Sequence, residues 1–201
     1  MHKAVLLDLG NVVIPFDFKL AYQALAAGCR HEPMEIRRRI AASGLVAPLE
    51  KGLLDPEDFV KQLSTALDLE LDHDSFCRAW AGIFHGQIIP DEMLESLAAR
   101  YRLLLLSNTN AIHFQMIREN YPMLRYFHDF VLSYEVHAAK PEPEIFQAAI
   151  RRAGCRPEEC FFADDMPENA EAARREGIDA VQFESLEQLQ RELRARGIEW
   201  E

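Results

Sequence analysis

The sequence predicts an α/β protein in which a Rossmann-like parallel sheet is interrupted by a small all-α insertion. Three observations predict it. Short, continuous apolar runs recur along the chain and stop at polar residues; helical patterns separate most of them; and one segment, from about Asp17 to Pro90, carries helical patterns only. Apolar runs without polar alternation mark strands buried on both faces. Strands alternating with helices imply parallel neighbours joined by right-handed crossovers.

The elements follow in order. Ala4-Val5-Leu6-Leu7 is the first strand and stops at Asp8. The all-helical segment comes next, with patterns over Leu20 to Ala27, Met34 to Ala42, Phe59 to Leu67 and Phe76 to Phe84. Asp55-Pro56-Glu57-Asp58 provides a helix start, with an acceptor at the cap and proline in the first turn. After Pro90, Met93, Leu94, Leu97 and Ala98 outline a helix that leads into the strand Leu103-Leu104-Leu105-Leu106, which stops at Ser107. Phe130-Val131-Leu132 is a third strand, and Ile145, Phe146, Ala149 and Ile150, following Pro141 and Pro143, form the next helix. Cys160-Phe161-Phe162-Ala163 is a fourth strand and stops at Asp164-Asp165. A helix from Ala170 through Arg175 ends before Gly177, Ala180 to Phe183 is a fifth strand, and Leu186 to Leu193 is a closing helix. The expected organisation is therefore an α/β core of residues 1–16 and 91–201, with a helical domain of residues 17–90 inserted after the first strand.

Composition narrows the function classes. The 201 residues are 49% hydrophobic and 27% charged, which suits one globular unit with a sizeable core. The formal net charge of -11 disfavours nucleic acid, because an acidic surface repels the phosphate backbone; Arg37-Arg38-Arg39 is the one basic cluster and reads as a solvated helix face. Cys29, Cys77, Cys155 and Cys160 form no CxxC pair and lack zinc-ligand spacing, so they are expected to be reduced thiols. The apolar start of the chain contains Asp8, and a carboxylate within a span costs ~3 kcal/mol on insertion scales. Neither export nor a membrane span is expected, and the expected compartment is the cytoplasm.

In open parallel sheets, ligands bind at the carboxyl ends of the strands near the point where strand order reverses. Here those ends carry Asp8, Ser107, Lys140 in the loop beyond its strand, and Asp164-Asp165. In order, Leu7-Asp8-Leu9-Gly10-Asn11-Val12, Leu106-Ser107-Asn108-Thr109, Lys140-Pro141, and Phe162-Ala163-Asp164-Asp165 with Asn169 resemble the four motifs of the haloacid-dehalogenase-like hydrolases. The resemblance spans the whole chain and implies a Mg²⁺-dependent phosphatase acting on a small phosphorylated substrate, as a monomer or homodimer. It makes Asp8 the nucleophile that forms an aspartyl-phosphate, and assigns the metal to Asp8, the Gly10 carbonyl and Asp164. Asp165 would orient a water or pair with Lys140. Ser107, Asn108, Asn11 and Lys140 would hold the phosphate. The chemistry requires such a set: a phosphate dianion repels nucleophiles, so the reaction needs an anchored attacking oxygen, a cation, and donors that tighten in the transition state.

One departure matters. The commonest phosphatase form of the first motif carries a second aspartate two residues after the nucleophile, acting as general acid and base; here that position is Gly10. Dehalogenases of the superfamily also lack it, which keeps 2-haloacid hydrolysis as a rival, and a binding module without turnover is a third reading. The acidic fourth motif favours the phosphatase, since hard carboxylates select hard cations. Asp8-Leu9-Gly10-Asn11-Val12 is also the form seen in the branch of bacterial α-D-glucose-1-phosphate phosphatases, and an anomeric leaving group needs less protonation. The inserted domain is expected to close over the site, with Glu50-Lys51-Gly52, Trp80 and the arginine triplet as its candidate contacts. Trp80 and Phe84, four residues apart, read first as a core pair, and His85 and His113 as surface or capping residues.

Overall fold

A computed structural model describes residues 1–200. Its centre is a five-stranded, all-parallel sheet of order β3-β2-β1-β4-β5, formed by β1 (Ala4–Leu7), β2 (Arg102–Ser107), β3 (Asp129–Leu132), β4 (Cys160–Asp164) and β5 (Asp179–Gln182). β1 lies in the middle, with Leu7 level with Leu105 on one side and Ala163 on the other. The chain builds outward through β2 and β3 and then crosses to β4, so strand order reverses between β1 and β4. That places Asp8 and Asp164 at the crevice where such sheets bind ligands.

The pleat sends alternate residues to opposite faces. Val5, Leu7, Leu103, Leu105, Phe161 and Ala163 pack with α6 (Asp91–Arg100), α7 (Ala111–Asn120) and α11 (Leu186–Ala195). Ala4, Leu6, Leu104, Leu106, Cys160 and Phe162 pack on the other face with α9 (Pro143–Ala153) and α10 (Pro167–Arg175). Both faces are covered, as the unalternated apolar runs of the strands require.

Between β1 and α6 lie five helices: α1 (Phe18–Ala26), α2 (Pro33–Ser43), α3 (Val46–Glu50), α4 (Pro56–Leu67) and α5 (His73–Ala81). They share a separate apolar cluster built on Leu25, Ile36, Phe59, Leu63, Phe76 and Trp80. Asp55 caps α4 by accepting from the Glu57 amide at 2.8 Å, with Pro56 in the first turn, as the sequence predicts. The two chain passages joining this segment to the sheet run side by side: Asp17 N donates to Ile83 O at 2.9 Å, and Ile88 N to Val13 O at 2.8 Å.

The structure corrects three local expectations. α5 stops at Ala81 rather than reaching Phe84, because Gly82 ends the helix and Phe84 bridges Phe16 in extended form. α3 carries no helical pattern in the sequence, and α8 (Ser133–Val136), of four residues, is shorter still. β5 ends at Gln182, one residue before Phe183. The four cysteines are free thiols, and no helix among the described residues is long and apolar enough to cross a membrane.

Candidate active site

β1 ends at Leu7, and the next amide continues the ladder: Asp8 N donates to Ala163 O at 3.0 Å. The chain then turns sharply. Asn11 adopts a left-handed φ of 57°, which asparagine tolerates better than most residues, and Asn11 N donates to Ile14 O at 2.8 Å. The turn leaves Asp8 facing a cavity of about 330 Å³ at the carboxyl end of the sheet, lined also by Gly10, Asn11, Ser107, Asn108, Lys140 and Asp165.

Lys140 is the electrostatic centre. Its side chain is 1% exposed, and Nζ lies 2.8 Å from Asp8 Oδ1, 2.6 Å from Asp164 Oδ2 and 2.9 Å from Leu106 O. Three ammonium protons thus meet three acceptors, which offsets the burial of the charge. Burial works against the ammonium, yet the two carboxylates outweigh it and hold its pKa above the ordinary value. Burial likewise raises the Asp8 carboxyl above the usual range; Lys140 opposes that rise and Asp164 adds to it.

Asn108 sets the lysine by gripping its backbone. Its Nδ2 donates to Lys140 O at 2.8 Å, and Lys140 N donates to Asn108 Oδ1 at 2.7 Å. The side chain is therefore committed to the loop. Ser107 is buried on the cavity wall, at the end of β2. Asn110 caps α7 by accepting from the His113 amide at 3.1 Å.

Asp8, Asp164 and Asp165 offer carboxylate oxygens within 4.8 Å of one another. Their surroundings differ. Asp164 is fully buried and both oxygens are engaged: Oδ1 accepts from Met166 N and Asn169 Nδ2, each at 2.9 Å, and Oδ2 from Lys140. Asp165 is half-buried on the cavity wall, and Asn11 Nδ2 donates to its Oδ2 at 3.0 Å. Asn11 thus orients Asp165, a link between residues far apart in sequence that no local signal announces. Three hard carboxylates beside one lysine suit an oxygen-preferring divalent cation.

The opposite wall is aromatic. Phe16 lies against Gly10, where an added Cβ would meet its Cε1 at 2.5 Å and Cδ1 at 2.9 Å. The ring thus lies beside the residue that would carry a second acid, and is edge-on to Phe18 at 5.6 Å. Phe84 also lines the cavity, whereas Trp80 is 1% exposed in the helical cluster. His113 is buried on the wall rather than at the surface. Its ring stacks on Trp80 at 5.5 Å, Nε2 lies 3.1 Å from Trp80 O, and burial pushes its pKa down to about 4. His85 is exposed. Arg38 and Arg39 pair with Glu35 on α2, and none of the arginine triplet lines the cavity.

The model of the haloacid dehalogenase-like hydrolases matches residues 2–177, and the chain belongs to that family of hydrolases. Among curated proteins it is similar to a D-ribitol-5-phosphate phosphatase of Bacteroides thetaiotaomicron, 28% identical over 200 residues that cover 96% of this chain and 97% of the relative. A HAD-family enzyme of the same organism, solved in complex with magnesium and inorganic phosphate, superposes with a TM-score of 0.82 at 31% identity, covering 92% of this chain and 96% of that one. The L-2-haloacid dehalogenase of Xanthobacter autotrophicus, with chloropropionic acid covalently bound, shares the fold at a TM-score of 0.63 and 21% identity, covering 99% and 85%.

Proposed function

We propose that this chain is a Mg²⁺-dependent phosphatase of a small phosphorylated metabolite, with Asp8 as nucleophile. The observation that carries the reading is the convergence of Asp8, Asp164 and Asp165 around Lys140 at the point where strand order reverses. The relative named as a phosphatase and the neighbour solved with magnesium and phosphate support it.

In this reading Asp8 attacks phosphorus through the oxygen that Lys140 does not hold, and the displaced alkoxide leaves as phosphate passes to the carboxylate. Lys140 favours the ionised form of Asp8 against the effect of its burial and neutralises charge that spreads over the phosphoryl oxygens. Ser107 and the Asn108 amide donate to those oxygens. Water then attacks the aspartyl-phosphate and frees Asp8. The cation would be held by Asp8, the Gly10 carbonyl and Asp165, and when bound it supplies Lewis-acid neutralisation of the phosphate. Asp165 replaces Asp164 in that role because its carboxylate faces the cavity, while Asp164 anchors Lys140 and the start of α10. The helical segment 17–90 acts as a cap that shields the reaction from bulk water.

Two finer substrates compete. Gly10 favours leaving groups that need little protonation, such as sugar 1-phosphates; the ribitol-5-phosphate relative favours a primary phosphate on an open polyol. The class is tested with p-nitrophenyl phosphate with and without Mg²⁺ and EDTA, beside 2-chloropropionate. Nitrophenol release that needs Mg²⁺ upholds the phosphatase; chloride release without metal replaces it with a dehalogenase. Matched sugar 1- and 6-phosphates then separate the finer readings, the former being cleaved faster if the missing acid governs choice.

A further inference from the structure

Glu50 is the one charged side chain that the helical segment places on the cavity wall, among the described residues. It ends α3, and the next residues fasten that helix to the core. Lys51 forms an ion pair with Glu142, Lys51 O lies 2.9 Å from His137 Nδ1, and Gly52 sits so close to Tyr134 that an added Cβ would meet its carbonyl oxygen at 2.1 Å. Gly52 has φ 62°, so both its conformation and its contact exclude a side chain. Glu50 is therefore delivered to the wall by a docked strap.

No donor among the described residues pairs with the Glu50 carboxylate, and burial alone raises its pKa. Glu50 is half-buried, and a ligand that brings hydroxyl donors supplies partners the wall does not. Asp8 and Asp165 add negative charge to the cavity, with Lys140 the one lysine or arginine on its wall. In the phosphatase reading a phosphoryl group engages both that lysine and the metal ion, so the wall offers no further cationic side chain to a second anion.

Resting on the phosphatase reading above, we infer that Glu50 determines specificity: its carboxylate accepts hydrogen bonds from hydroxyls of an uncharged polyol or sugar moiety and repels substrates bearing a second anionic group. The substrate class is thus a phosphomonoester with a neutral, hydroxylated remainder.

Glycerol 3-phosphate and 3-phosphoglycerate form a matched test pair, differing by a hydroxymethyl against a carboxylate. Their kcat/KM values are measured for the wild type, Glu50→Gln and Glu50→Lys, with p-nitrophenyl phosphate as a common reference and circular dichroism to verify folding. The wild type is expected to prefer glycerol 3-phosphate at least about tenfold, the scale of a like-charge contact at short range. Glu50→Gln should shrink that ratio by about tenfold and Glu50→Lys should invert it. A ratio unchanged in folded variants, or a wild type that favours the acid, overturns the assignment. A wild type silent on all three esters with Mg²⁺ instead defeats the phosphatase reading on which it rests.

Discussion

Placing an aspartate at position 10 tests how the site is built without one. An added Cβ would lie 2.5 Å from Phe16 Cε1 and 2.9 Å from Cδ1, against ordinary carbon contacts of about 3.5–4 Å, so the ring must retreat by about 1 Å before the carboxyl itself is accommodated. It has little freedom: the Phe16 backbone bridges Phe84, its amide donates to Asn11 Oδ1 at 3.5 Å, and its ring abuts Phe18 and Phe84 at 5.6 and 6.1 Å. Overpacking of this kind costs about 1–3 kcal/mol, or a Tm fall of several degrees in a chain of this size. Gly10→Asp alone should therefore be destabilised and slower on every ester. Gly10→Asp with Phe16→Ala restores the space; if the carboxyl then reaches the leaving oxygen, cleavage of alkyl phosphates should rise by ~10²-fold or more while p-nitrophenyl phosphate gains little. Urea unfolding of both single variants and the double variant gives the coupling energy, expected at about 1 kcal/mol or above in favour of the pair. Additive stabilities, or a single Gly10→Asp that is as stable as wild type and faster on alkyl phosphates, would refute the steric argument.

Two further outcomes follow from buried charge. Lys140→Met leaves Asp8 and Asp164 without their shared cation and should cost about 3–5 kcal/mol in urea unfolding, with turnover lost; stability equal to wild type contradicts the role given to the ion pairs. His113 is buried and neutral, with a pKa of about 4 against 6.5 in the unfolded chain. As pH falls the unfolded state binds the proton first, so the stability tied to His113 is complete above pH 6.5 and declines by about 3 kcal/mol towards pH 4. His113→Phe, which keeps an aromatic ring against Trp80, should flatten that part of the urea-midpoint profile, and an unchanged slope would exclude His113 as its source.

The sheet was legible because its strands are buried on two faces and so appear as unbroken apolar runs, each with a chemically distinctive residue at its end. Asp8, Ser107 and Asp164 sit at or just beyond those ends, and the parallel order brings them together. The cavity's other wall was harder to read. α3, which carries Glu50, spans five residues including Pro48, too short to show a helical period. Phe84 fits the spacing of α5, but Gly82 ends that helix. The burial of His113 depends on Trp80, 33 positions away, and the fit of Phe16 against Gly10 is purely tertiary. The different environments of Asp164 and Asp165 also escape a sequence reading, since the two are adjacent at the end of β4 and only their tertiary partners and burial separate them.

The most direct test of the account is to trap the covalent intermediate. The protein turning over p-nitrophenyl phosphate with Mg²⁺ is quenched in acid and reduced with borohydride, which converts an aspartyl-phosphate to homoserine, and the peptides are read by mass spectrometry. The account predicts homoserine at position 8 and none when substrate is omitted. Modification at another carboxylate, or efficient trapping conditions that leave position 8 unaltered during turnover, would contradict it.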